Sequence, residues 1–162
     1  LWSYNIGDTI KFTSLEPFRI IVTGRIKHFL SAFGEHVISE EVEKAMEAAT
    51  KLHNVAIREF TVAPNINPKE MLPHHEWYVE FESLPKDMLA FSKALDKEMT
   101  RLNIYYKDLI DGKILKSLEV ISVIRGGFNQ YMKSEGRLGG QNKVPRLSND
   151  RKIADKLKTI ST

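Results

Sequence analysis

Apolar positions in the first third of the chain fall in short β-branched runs. Residues 9–15 and 18–23 form two of them, separated by Glu16-Pro17, a turn signal that removes a backbone donor. A third run, 28–33, stops at Gly34. Together they predict a short antiparallel meander. From Ser39 the period changes. Ser39 stands where a helix cap is expected, Glu40 and Glu41 occupy the first turn, and Val42, Ala45, Met46, Ala49 and Leu52 recur as one apolar stripe. Residues 55–62 predict a strand that ends at Ala63-Pro64-Asn65, and 65–73 a loop. Residues 76–82 alternate, with Trp77, Val79 and Phe81 on one face and Tyr78 and charges on the other, which predicts a half-buried strand. Met88, Phe91, Leu95, Met99 and Leu102 place a longer helix over 86–102. A short helical turn at 105–110, a strand at 118–124 broken by Gly126-Gly127, a helix at 128–133, a loop at 136–145 and an amphipathic helix at 149–158 complete the chain. In the last helix Ile153, Leu157 and Ile160 face inward. The order β-β-β-α-β-β-α-β-α predicts an α+β domain: a small mixed sheet with helices packed on it, preceded by a short meander or hairpin.

Composition narrows the class. The 162 residues suit one domain, and 42% apolar content excludes a disordered chain. The lack of cysteine excludes a disulfide framework and a thiolate metal site, which fits a reducing compartment; a cytoplasmic location is expected. No apolar run approaches the roughly 18 residues of a membrane span, and no stretch reads as a secretory leader. The chain opens on Leu1-Trp2-Ser3-Tyr4 rather than Met, so a fragment of a longer protein is expected. The net charge of +3 hides a split. Residues 1–112 carry 13 Lys/Arg against 17 Asp/Glu, a net of −4; residues 113–162 carry 11 against 4, a net of +7.

Familiar signatures of chemistry are missing: no GxGxxG, no GxxxxGK[ST] and no HExxH. His74-His75-Glu76 is no metal triad, because adjacent strand residues point to opposite faces; it reads as a solvated junction of loop and strand. His28, His36 and His53 read as structural or surface residues. Three patches remain. Tyr4-Asn5-Ile6-Gly7-Asp8 precedes a strand, and an aspartate there can accept hydrogen bonds from a ribose diol or simply close a turn. Gly24-Arg25-Ile26-Lys27 puts two cations beside a glycine, fit for a phosphate, a hinge or an exposed hairpin turn. Gly139-Gly140-Gln141-Asn142-Lys143-Val144-Pro145-Arg146 is a glycine-rich loop with a compact cation near its tip, able to meet an anion or to remain solvated. Taken singly, each patch reads as ordinary turn or loop chemistry.

In this order and at these separations, the three patches and the Val42-Glu43 opening of the first helix resemble the carboxy-terminal part of the acyl-adenylate-forming superfamily, which includes firefly luciferase and the acyl-CoA synthetases. The stretch from Gly140 to Arg146, with Leu147-Ser148-Asn149-Asp150 after it, resembles more narrowly the plant auxin-responsive promoter family of acyl acid amido synthetases, its bacterial members most of all. The resemblance spans essentially the whole chain. Asn5 stands where many members carry arginine, and Lys143 lies outside the Pro-x-x-x-x-Gly-Lys pattern of the wider superfamily, so its role rests on the narrower family.

The resemblance implies an ATP-dependent ligase that activates a carboxylic acid as acyl-AMP and joins it to an amine, usually an amino acid. It implies that Asp8 binds the ribose hydroxyls of ATP in a motif opened by Tyr4. Arg25 contacts the nucleotide near the domain junction, Lys27 is the hinge residue, and Lys143 is the catalytic lysine at the α-phosphate and the substrate carboxylate. Residues 1–25 then end an amino-terminal body with its hinge strands, and 26–162 form the mobile carboxy-terminal lid. ATP and Mg²⁺ are held mainly by the absent body, and this chain supplies no metal ligand. The fragment alone is expected to be inactive and to bind ATP weakly or not at all. Its partners are the carboxylic acid, ATP, the amine acceptor and its own amino-terminal domain, with no membrane and no nucleic acid. The alternative is a nucleic-acid or protein binding module that uses the basic last third. Against nucleic acid stand the Leu and Ile residues interleaved there at helical spacing, with Phe128 and Tyr131 as its only aromatics.

Overall fold

A computed structural model describes residues 8–25, 29–137, 139 and 143–160, with 8, 9 and 23–25 described through their backbone alone. The elements run β1 (Asp8–Leu15), β2 (Phe18–Arg25), β3 (Phe29–Leu30), β4 (Val37–Ile38), α1 (Ser39–His53), β5 (Ile57–Asn65), β6 (His74–Phe81), α2 (Met88–Leu102), α3 (Ile104–Asp111), β7 (Glu119–Val123), α4 (Gly127–Ser134) and α5 (Lys152–Ile160). This is the α+β class that the periodicity predicts. No helix among the described residues is long and apolar enough to cross a membrane.

β1 and β2 form an antiparallel hairpin across Glu16-Pro17, from Leu15 opposite Phe18 to Asp8 opposite Arg25. The third apolar run does not extend it into a meander. Among its described residues, 29–33, only Phe29 and Leu30 are strand, and they pair with Ile38 and Val37. The intervening segment turns back through Gly34 (φ +92°) and His36 (φ +46°), left-handed conformations that reverse the chain before it can extend.

The central sheet has the order β5-β6-β7, with β5 and β6 antiparallel and β6 and β7 parallel. α2 and α3 make the crossover that a parallel pair requires. Phe60, Val62, Trp77, Val79 and Phe81 pack on one face with α1 and α2. Ala63, Tyr78 and Val123 pack on the other with α4 and α5. β6 is therefore buried along its whole length rather than half-buried. Alternation reveals which residues share a face, but not that later helices cover the polar face too.

The helices follow their stripes with local corrections. In α1 Val42, Ala45, Met46 and Ala49 are buried, whereas Leu52, the last of the predicted stripe, is 73% exposed. Ser39 is the first helical residue, not the cap. Ile38 holds the cap position, and its N–H is satisfied by Glu41 Oε2 at 3.0 Å. α2 is capped by Asp87, which accepts from the Ala90 N–H at 2.9 Å, and Phe91, Leu95 and Met99 are fully buried. Each such side chain contributes about 1.5–3 kcal/mol relative to exposure. α5 begins at Lys152, later than the predicted 149, because the Asp150 carboxylate accepts the Lys152 N–H at 3.1 Å.

Candidate functional site

The segment after the glycine-rich loop docks along the outer edge of β5. Leu147 forms a parallel bridge with Val62. The Val62 N–H donates to Arg146 O at 2.9 Å, the Ser148 N–H to Val62 O at 3.0 Å, and buried Thr61 Oγ1 to Pro145 O at 2.7 Å. Pro145 has no N–H to satisfy, and Val144 is buried in the second core. Arg146 anchors the same edge with its side chain. Its guanidinium donates to Glu59, to Phe60 O at 3.0 Å and to Glu43 at 3.2 Å, and lies over the Phe60 ring at 4.5 Å. Further along, Asn149 Nδ2 donates to Phe29 O at 2.6 Å, and Asn149 Oδ1 accepts the Ser31 N–H at 2.9 Å. The docked segment is thus tied to β3 as well as to β5.

Lys143 stands at the start of this anchored segment, exposed, beside a cleft of about 220 Å³ lined by Arg58 and Glu59 of β5, Glu80 of β6, and Phe128, Asn129 and Met132 of α4. Both carboxylates of the cleft are already engaged. Glu80 accepts the Gly126 N–H at 2.8 Å and the Phe128 N–H at 3.3 Å, where the positive end of α4 favours a carboxylate. Glu59 holds Arg146 and accepts the Phe60 N–H at 3.1 Å. The Lys143 ammonium makes no hydrogen bond or ion pair among the described residues. A compact cation without a partner, at the mouth of a polar cleft, can meet an anion that enters from outside.

Of the other sequence-predicted residues, Asp8 and Arg25 lie on the β1–β2 hairpin. They face each other in register at its open end. Their side chains are not described, and Tyr4 and Lys27 lie outside the described residues. The hairpin and the cleft belong to different sheets.

His74-His75-Glu76 is no solvated junction; the three residues are 1–2% exposed. They split between the two faces of β6, as strand geometry requires. His75 Nε2 lies 3.0 Å from Glu35 Oε1 on the α1/α2 face, and Glu35 is itself fully buried and accepts the Phe33 N–H at 2.8 Å. Burial pushes the Glu35 carboxyl up, but the His75 hydrogen bond and charge outweigh it, and the carboxyl stays below its ordinary value. On the opposite face, His74, Glu76 and Glu119 bring one ligand atom each within 4.8 Å of one another. That group is filled from within. Glu76 accepts from Arg151 at 2.6 Å, from the Tyr78 hydroxyl at 2.8 Å and from Asn65 at 2.9 Å, while His74 Nε2 lies 3.0 Å from Glu119. Burial raises the Glu76 carboxyl, yet these bonds hold it below its ordinary value.

Sequence reading missed the anchors Arg146, Asn149 and Arg151. Arg146 belongs to the quoted glycine-rich stretch, so the signal was adjacent to Pro145. Its partners Glu43 and Glu59 lie 103 and 87 residues away and carry no pattern that links them.

The family model described as the GH3 family C-terminal domain matches residues 40–152. No curated protein matches the chain. Among solved structures, a GH3.15 acyl acid amido synthetase superposes with a TM-score of 0.79 at 20% identity, covering 100% of this chain and 32% of its own. A second, described as AtGH3.15 acyl acid amido synthetase in complex with 2,4-DB, gives 0.74 at 21% identity over 100% of this chain and 31% of its own. The likeness to these structures is one of fold, and the chain spans about a third of their length. Because the family model covers well over half of the chain, including the whole β5–β6–β7 sheet and the segment that carries Lys143, the chain belongs to the GH3 family as its C-terminal domain.

Proposed function

We propose that this chain is the mobile carboxy-terminal lid of an ATP-dependent acyl acid amido synthetase, with Lys143 as its catalytic cation. One observation carries the reading: an ammonium without a partner among the described residues, on a firmly anchored segment, beside a cleft whose carboxylates are otherwise engaged. In the first reaction a carboxylate oxygen attacks the α-phosphorus of ATP, the bond to the pyrophosphate bridging oxygen breaks, and pyrophosphate leaves with the electron pair. Two anions must approach, so the barrier is largely electrostatic. A positioned ammonium stabilises the charge that grows on the α-phosphate. In the second reaction the amine nitrogen attacks the acyl carbon of acyl-AMP, AMP departs, and the nitrogen loses a proton. Movement of the lid between the two steps suits this chemistry.

Mg²⁺ supplies charge neutralisation on the triphosphate in such reactions. The His74–Glu76–Glu119 group does not fit it. The Arg151 guanidinium already neutralises Glu76, and Asn65 and Tyr78 donate to it as well. The metal and the nucleotide therefore belong to the absent body in this reading, and no step runs through a metal on this chain. The division at residue 25 has physical support as well. Phe12, Leu15, Phe18, Ile20 and Val22 of the hairpin are 53–77% exposed, which is apolar surface suited to burial against a larger body.

The test is Lys143→Ala in the full-length protein. Carboxylate-dependent pyrophosphate exchange should fall by about 10²–10³, the loss expected when one such contact is removed. Exchange at the wild-type rate would overturn the assignment. Because Lys143 is exposed, thermal unfolding should be unchanged.

A further inference from the structure

We propose that Arg146 is a positioning residue for Lys143: by engaging Glu59 it keeps the one partly exposed carboxylate of the cleft from capturing the lysine ammonium. The inference rests on the same cleft as the proposed function and adds a residue to it.

Lys143 shares its cleft with Glu59 and Glu80. A flexible ammonium beside a free carboxylate pairs with it, and a paired lysine is a poor partner for an incoming anion. Glu80 is removed from competition by the backbone. It is 4% exposed, and its two oxygens take the N–H groups of Gly126 and Phe128 at the start of α4. Glu59 has no comparable cradle. Its side chain is 28% exposed, and its one backbone donor is the adjacent Phe60 N–H. What occupies it is the Arg146 guanidinium, held over the Phe60 ring and shared with Phe60 O and Glu43.

The choice of arginine is physical. A planar fork can serve two carboxylates and a carbonyl at once while stacking on an aromatic ring; a lysine offers a point charge and no stacking face. The placement also matters. Arg146 is three residues from Lys143, and between them Val144 is buried and Pro145 has its carbonyl fixed by Thr61. The same side chain therefore holds the segment on β5 and occupies the carboxylate that competes for the lysine.

The test uses the chain as it stands and reads Lys143 directly, by pulse acylation with acetic anhydride at mildly alkaline pH and peptide mass spectrometry. The variants are Arg146→Met, which keeps an apolar stem over Phe60, Glu59→Gln, and the pair together. Labelling of Lys143 in Arg146→Met should slow by about 3- to 5-fold, the effect of a partly exposed ion pair, and return to the wild-type rate when Glu59→Gln is added. Glu59→Gln alone should leave the rate unchanged. A structural role alone would slow or speed labelling without rescue by Glu59→Gln. Faster labelling in Glu59→Gln alone would show that Glu59 already holds Lys143, and this single variant overturns the proposal even if Arg146→Met fails to fold. In the full-length protein, Arg146→Met should lower the kcat of pyrophosphate exchange with little change in KM for ATP, again with recovery in the pair. Labelling that behaves as expected alongside unimpaired exchange in Lys143→Ala would leave the positioning role standing and remove the adenylation role, so the two conclusions fail separately.

Discussion

Glu76 shows what a buried charge requires. At 2% exposure it persists because Arg151, Tyr78 and Asn65 satisfy it, and because Arg151 in turn donates to Pro64 O at 2.9 Å and to Asp155 at 3.1 Å. Arg151→Met leaves a carboxylate buried without its cation and should cost about 3 kcal/mol, at the low end for a broken buried pair because Arg151 keeps some contact with water. Urea unfolding measures it. The double change Arg151→Met with Glu76→Gln should recover most of the loss, and additive losses in the two variants would argue against the pair. At this scale the sequence was only partly legible. Lys143 stood out because glycines and Pro145 frame it. The burial of His74 and Glu76 did not, because the helices that cover the second face of β6 begin at Gly127, some 50 residues later, and that of His75 did not, because its partner Glu35 lies 40 residues earlier. Arg146 and Asn149 were visible as residues but not as anchors, since their partners are brought close only by the finished fold.

Elements were read more securely than their neighbours. The α2 stripe Phe91, Leu95 and Met99 is buried as its spacing predicts, because a helix of that length repeats its pattern often enough to fix a face. The third run at 28–33 misled because a short stretch with two phenylalanines and one leucine cannot announce its partner, and Gly34 and His36 redirected the chain. The break at Gly126-Gly127 was legible, but its reason was not. A Cβ on Gly127 would lie 2.5 Å from Val123 Cγ1 and 3.3 Å from Ile160 Cγ2, so α4 can start there only because the position lacks a side chain. Gly127→Ala should destabilise the domain by about 1–3 kcal/mol through overpacking against a short, stiff valine. Gly34→Ala is strained for a different reason, its φ of +92°, with nothing within 4 Å of the added carbon. Paired urea titrations separate the two causes. Val123→Ala should relieve Gly127→Ala through the space it opens and leave Gly34→Ala unaffected.

At the scale of the whole molecule, the uneven charge along the chain becomes an internal arrangement. Arg146 and Arg151 of the basic last third reach Glu43, Glu59 and Glu76 of the acidic first two thirds. Two buried carboxylates then set how stability depends on pH. Glu35 and Glu76 both lie below the ordinary value of 4.5 in the folded chain, against the upward push of burial, because His75 and Arg151 hold them ionised. A carboxyl with a depressed folded value contributes stability that is fully present above its unfolded value and is lost as pH falls through the folded one. Thermal midpoints should therefore decline as pH falls below about 4.5, where the unfolded chain binds protons that the folded chain refuses. The decline should survive moderate salt, because neither carboxylate is screened by solvent ions as a surface pair is. Glu76→Gln removes one of the two groups. It should lower stability at neutral pH and flatten the acid slope, so that the curves of variant and wild type converge as pH falls. Parallel curves across the whole range would mean that Glu76 does not titrate with unfolding, and the acid sensitivity would have to come from Glu35 and the exposed carboxylates instead.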